Sequence, residues 1–139
     1  MKYEDHKRGL IQNRDRKKQI IDFSQLRYES ITPTDLDGFI EYRNKLFVLY
    51  EYKYKKERSM SKGQYKALVR LIDAVQRGGL DAALFLVKHD QENPEKDIDG
   101  ANSIVDRYYY KGKWNYNVNR TAKQVTDSFM KYVENKLQK

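Results

Sequence analysis

Asp37, Glu51 and Lys53 are the residues whose types and spacing could do chemistry together. If Glu51 and Lys53 lie on one strand, their two-residue spacing puts both side chains on one face. A strand partner placing Asp37 opposite Glu51 would add a second carboxylate to that face, with Asp35 falling opposite Lys53. Burying such a group for stability alone is costly, because paired carboxylates repel and every charge must be desolvated. A divalent cation resolves that conflict, and hard carboxylate oxygens suit Mg²⁺, which keeps several of its waters and binds phosphate oxygens. Phosphodiester cleavage needs positioning and charge neutralisation, both of which a glutamate and a lysine so placed supply. The alternative is a solvated hairpin face on which Glu51 and Lys53 make only cross-strand ion pairs.

The elements required to position these residues are legible. Asp37 to Tyr42 is strand-like, Arg43-Asn44-Lys45 is turn-like, and Leu46 to Tyr54 is β-branched, aromatic and apolar. A hairpin centred on Asn44 pairs Asp37 with Glu51. Leu46 to Tyr50 is apolar on both faces, which marks an interior strand whose end opens into a cleft. Ser61 and Gln64 fit a capping box, and Leu68, Ile72 and Val75 stripe a helix that stops at Gly78-Gly79. Ala82 to Lys88 reads as a buried strand parallel to an earlier one. Ser103 to Tyr110 and Trp114 to Val118 form a second hairpin about Lys111-Gly112-Lys113. Thr121 and Gln124 cap a closing helix striped by Val125, Phe129, Val133 and Leu137. Ahead of these, residues 1–15 form a basic arm and a short helix is expected over Arg16 to Leu26, so residues 16–139 form the single domain. The order predicts an α/β or α+β fold, a mixed central sheet flanked by helices.

Composition bounds the partners. With 28 Lys and Arg against 20 Asp and Glu, the 139-residue chain carries a net charge of +8, which favours a polyanion. It has no cysteine and only two histidines, His6 and His89, which excludes disulfides and thiolate zinc and leaves oxygen ligands for any metal. No apolar run approaches membrane-spanning length and Met1 to Lys7 lacks a signal-peptide core, so a soluble cytoplasmic protein is expected.

Asp37, then Glu51-Tyr52-Lys53 on the next strand, a covering helix and a hydrophobic strand together resemble the core of the PD-(D/E)XK nuclease superfamily, over roughly Arg16 to Lys88. The resemblance implies a restriction-endonuclease-like core and a Mg²⁺- or Mn²⁺-dependent DNA endonuclease. It is similar in particular to compact stand-alone members such as Holliday junction resolvases and phage-type nucleases, which select DNA structure and act as homodimers. It further implies that Asp37, Glu51 and the Tyr52 carbonyl coordinate the metal and that Lys53 orients the attacking water and offsets phosphate charge. Gln64 corresponds to a glutamine near the active site of RecB-type relatives, although Leu68 replaces that subgroup's tyrosine; its other role is the capping box. Asp22 or Glu29 is the candidate for a first-helix acid, and Asp35 for a supporting residue or a turn former.

Acid-x-lysine tripeptides also occur at Asp5, Asp15 and Glu134, but the first two lie in the basic arm and Glu134 on a helix, where residues two apart diverge. Lys55, Lys56, Arg58 and Lys62 form a basic loop after Lys53, placed to touch DNA phosphates. Tyr50, Tyr52 and Tyr54 point away from the carboxylates and read as packing or interface residues; Tyr108, Tyr109, Tyr110 and Trp114 read as a dimer interface or packing, with a nucleic-acid grip as the alternative. A different class of function, a non-catalytic nucleic-acid-binding or protein-interacting regulatory protein, predicts DNA or protein binding without metal-dependent cleavage.

Overall fold

The computed structural model describes residues 19–57 and 62–136, without the side chains of residues 62–64. It divides at Pro33/Thr34 into two units. In the first, residues 19–33 hold tight turns and no helix, contrary to the expectation over Arg16 to Leu26, of which residues 16–18 lie outside the described residues. The Asp22 carboxylate accepts the Ser24 N–H at 2.9 Å, and Leu26 N–H closes a turn on Phe23 O at 2.8 Å. Such side-chain-to-backbone bonds compete with helix, and Ile20 and Ile21 stay exposed, so no buried face supports one. The basic arm expected over residues 1–15 lies outside the described residues.

The second unit is an α+β domain on a five-stranded mixed sheet of order β1-β2-β3-β4-β5. Strands β1 (Gly38–Tyr42) and β2 (Leu46–Tyr54) form the first hairpin. Helix α1 (Lys62–Arg77) crosses over to β3 (Asp81–His89), which runs parallel to β2. Strands β4 (Ile104–Tyr110) and β5 (Lys113–Tyr116) form the second hairpin, and helix α2 (Ala122–Lys136) follows it. Residues two apart on a strand share a face, so the sheet has two apolar sides. Leu46, Val48 and Tyr50 with Ala83, Phe85 and Val87 pack under Val125, Phe129 and Val133 of α2. Leu49 with Ala82, Leu84 and Leu86 packs under Leu68 and Ile72 of α1. Strands β2 and β3 are thus covered on both sides, as their continuous apolar runs require.

Helix α2 starts as its sequence demands. Thr121 Oγ1 accepts the Gln124 N–H at 3.1 Å, and the Gln124 side chain accepts the Thr121 N–H at 2.9 Å, a reciprocal capping box. The corresponding Ser61–Gln64 box lies outside the described residues. Tyr50, Tyr52, Tyr108 and Tyr110 pack on the α2 face and Tyr109 and Trp114 on the α1 face. No helix among the described residues is long and apolar enough to cross a membrane.

Candidate functional site

The hairpin turn decides where the acids meet. Arg43 and Asn44 adopt positive φ, 49° and 57°, and Lys45 N–H bonds Tyr42 O at 2.9 Å, which sets Tyr42 opposite Leu46 and Gly38 opposite Tyr50. One step further out, the regular ladder ends and side chains take over. Asp37 N–H donates to Glu51 Oε1 at 3.0 Å, and Tyr52 N–H donates to Asp37 Oδ2 at 2.8 Å. In an extended strand a residue's N–H and C=O point the same way, so the Tyr52 carbonyl faces this edge too. The structure therefore brings Asp37, Glu51 and the Tyr52 backbone together in the predicted register.

Glu51 and Lys53 lie on the α1 side of β2, away from the tyrosine row. Glu51 is 8% exposed. Burial pushes its carboxyl above the ordinary 4.5, and the negative charges of Asp37 and Asp35 push it the same way, while the Asp37 N–H and the Lys53 charge oppose them. Glu51 and Lys53 open into one cavity of about 10 Å³ together with Tyr65, Lys88 and Asp106, close to the volume that a single water needs.

The chain matches no family model, no curated protein and no solved structure. The chemistry of the site is read from its own donors. Among the described residues no three His, Asp or Glu side chains gather as a metal cluster. Two carboxylates with a backbone carbonyl fit the lean protein share of a Mg²⁺ site, where water and phosphate oxygens fill the remaining positions.

The other predicted residues fall as follows. Lys55 and Lys56 occupy an exposed turn directly after β2. Lys55 N–H bonds His89 O at 2.8 Å, and Lys88 Nζ bonds Glu57 O at 3.2 Å, so this turn is tied to the same end of the sheet as Glu51. Arg58 and the side chains of Lys62 and Gln64 lie outside the described residues; Gln64 itself is in the first turn of α1, one position before Tyr65. Asp22 caps the local turn in the first unit, and Glu29, at φ 61°, occupies another. Glu134 accepts Tyr42 Oη–H at 2.9 Å and pairs with Arg43 and Lys45, fastening the β1–β2 turn to α2.

Tyr65, Lys88, Asp106 and Arg107 escaped the sequence reading. Lys88 ends the apolar run of β3, a position from which a charge reaches the sheet's rim. Asp106 and Arg107 sit at a shift in the β3–β4 register, where Leu86 faces Arg107 and Val87 faces Val105. The extra residue in such a bulge re-aims its neighbours, and nothing in the local sequence marks it.

Proposed function

We propose that this chain is a metal-dependent endonuclease that hydrolyses DNA phosphodiester bonds in the cytoplasm, on a restriction-endonuclease-like core. The observation that supports it best is that the Asp37 N–H bonds the Glu51 carboxylate and the Tyr52 N–H bonds the Asp37 carboxylate, with Glu51 and Lys53 at a water-sized cavity. The carboxylates of Asp37 and Glu51 and the Tyr52 carbonyl would hold Mg²⁺ or Mn²⁺. When bound, the ion supplies Lewis-acid polarisation and charge neutralisation at the phosphate. Lys53 presents an ammonium group to the cavity, where it orients a water and offsets the negative charge that grows on the phosphate. Glu51, whose proton affinity burial raises, accepts a hydrogen bond from that water. Lys55 and Lys56 take flanking phosphates. Recognition then rests on the backbone and shape of the DNA, as for a junction or branch, and a homodimer would present two sites to two strands.

A second reading has its own observation. Glu51 Oε1 and Asp37 Oδ2 each accept a backbone N–H and so finish the ladder without any ion, as a non-catalytic DNA-binding protein would need. Cleavage of labelled duplex, single-stranded, flap and four-way-junction DNA, with Mg²⁺, Mn²⁺ or EDTA, separates the two. We expect metal-dependent cutting that falls at least about 100-fold in Lys53→Ala and Glu51→Gln, with native circular dichroism retained. Wild-type cutting by either variant would remove the proposed site, and DNA binding without cutting would establish the second reading.

A further inference from the structure

Arg107 is held in an unusual way for a cation on a sheet. Its guanidinium carbon lies 5.1 Å from the Tyr65 ring centre, 5.4 Å from Trp114 and 5.8 Å from Tyr116. Nη2 donates to Tyr65 Oη at 2.7 Å, and Nε has no hydrogen-bond partner among the described residues. The nearest carboxylate oxygen, Asp106 Oδ2, is 3.9 Å from Nε, too far for a hydrogen bond. Aromatic faces stabilise the charge without consuming N–H donors, so the cage fixes the guanidinium plane; Nε is buried within it, which leaves the Nη end for an outside partner. About a fifth of the side chain reaches solvent, 20%, and Tyr116, at 60% exposure, stands beside it on the edge strand.

The sheet places this fork beside the candidate active site. Arg107 faces Leu86 on β3, and Leu86 faces Glu51 on β2. Two strand spacings separate them, about 10 Å. Lys53 and Lys88 are register partners one position further along the α1 side. Lys53 beside Glu51 on β2, Lys88 on β3 and Arg107 on β4 thus form an arc of positive charge across the sheet, opposed by Asp106. Tyr65 and Asp106 border both the cavity and the guanidinium.

We infer that Arg107 is a phosphate-binding residue that grips a backbone phosphate flanking the bond held over Glu51, with Lys88 between them. The inference rests on the nuclease reading and extends its DNA track across the sheet to β4. Arginine suits the role because its planar fork meets two phosphate oxygens at once. Asp106 weakens the grip by like-charge repulsion of the phosphate, and its removal must strengthen it.

The test is fluorescence anisotropy of a labelled duplex and a labelled four-way junction in EDTA over a salt series, on the full chain. Arg107→Ala is expected to weaken binding about tenfold and to reduce the slope of log affinity against log salt by about one. Arg107→Lys should fall between the two, keeping charge without the fork, and Asp106→Asn should bind several-fold more tightly than wild type. Folded Arg107→Ala that binds with wild-type affinity and slope would overturn the inference and leave Arg107 a packing cation. Should Arg107→Ala unfold, wild-type affinity in both Arg107→Lys and Asp106→Asn would overturn it equally. Wild type that binds neither DNA would remove the nuclease reading together with this one, whereas wild type that binds and cuts beside Arg107 variants of unchanged affinity would remove this inference alone.

Discussion

Glu51 sits on an interior strand with two aspartates in its field and a lysine two residues on, so its protonation reports on the site directly. Burial holds the folded-state value above the ordinary 4.5, which means the native state keeps this proton more tightly than the unfolded chain does. The favourable contribution of Glu51 is therefore complete below pH 4.5 and is lost as pH rises through the raised value. Glutamine mimics the neutral form and preserves an oxygen to accept the Asp37 N–H. We expect Glu51→Gln to melt a few degrees above wild type at neutral pH and to lose that advantage below pH 4.5; identical melting temperatures at neutral pH would mean that the carboxylate is not desolvated. Mg²⁺ should raise the melting temperature of wild type and leave Glu51→Gln unmoved, since a ligand stabilises only the state that binds it. An equal rise in both would place the ion elsewhere. The identities of Asp37, Glu51 and Lys53 were legible because strand period and one turn suffice to align them. Tyr65, Asp106 and Arg107 were not, because they reach this face from a helix and from a bulged strand remote in sequence.

At the scale of elements, register rests on turn chemistry. The β4–β5 hairpin turns on Lys111 at φ 49° and Gly112 at φ 77°, the paired left-handed conformation that suits the twist of a two-residue loop. A Cβ added at Gly112 meets nothing within 4 Å, so its cost is conformational alone. Gly112→Ala should destabilise the protein by about 1 kcal/mol. Gly38, equally open and without a positive φ, should tolerate alanine with no loss. Denaturant titration of the two variants checks both, and equal stability would show that the turn does not set the register. Strands β1 to β5, both helices of the sheet domain and the parallel crossover were readable, because each carries a period, a cap or a Gly stop of its own. The helix expected before Pro33 failed where residues 19–26 are described, because periodicity cannot show whether an apolar face finds a partner. Instead, Asp22 bonds its neighbour's backbone.

For the whole molecule, the proposed function together with the net charge of +8 predicts that DNA binding weakens steeply with salt. Lys55 and Lys56 lie at the rim beside Glu51, tied there through His89, so replacing both by alanine should weaken binding several-fold and flatten its salt dependence while leaving the metal requirement intact. An unchanged slope, measured by the same anisotropy series, would move the DNA track away from this rim. The sequence by itself determined the alternation of strands and helices, the buried parallel pair, and the meeting of Asp37 with Glu51 and Lys53. Those properties depend on side-chain period, turn length and caps, all of which are local. Only the tertiary structure decided which helix covers which face, that Glu51 accepts the Asp37 N–H while Asp37 accepts the Tyr52 N–H, and that Tyr65, Lys88, Asp106 and Arg107 join the same side. Those outcomes arise from packing between segments far apart in the chain and from a one-residue bulge, for which no local pattern exists.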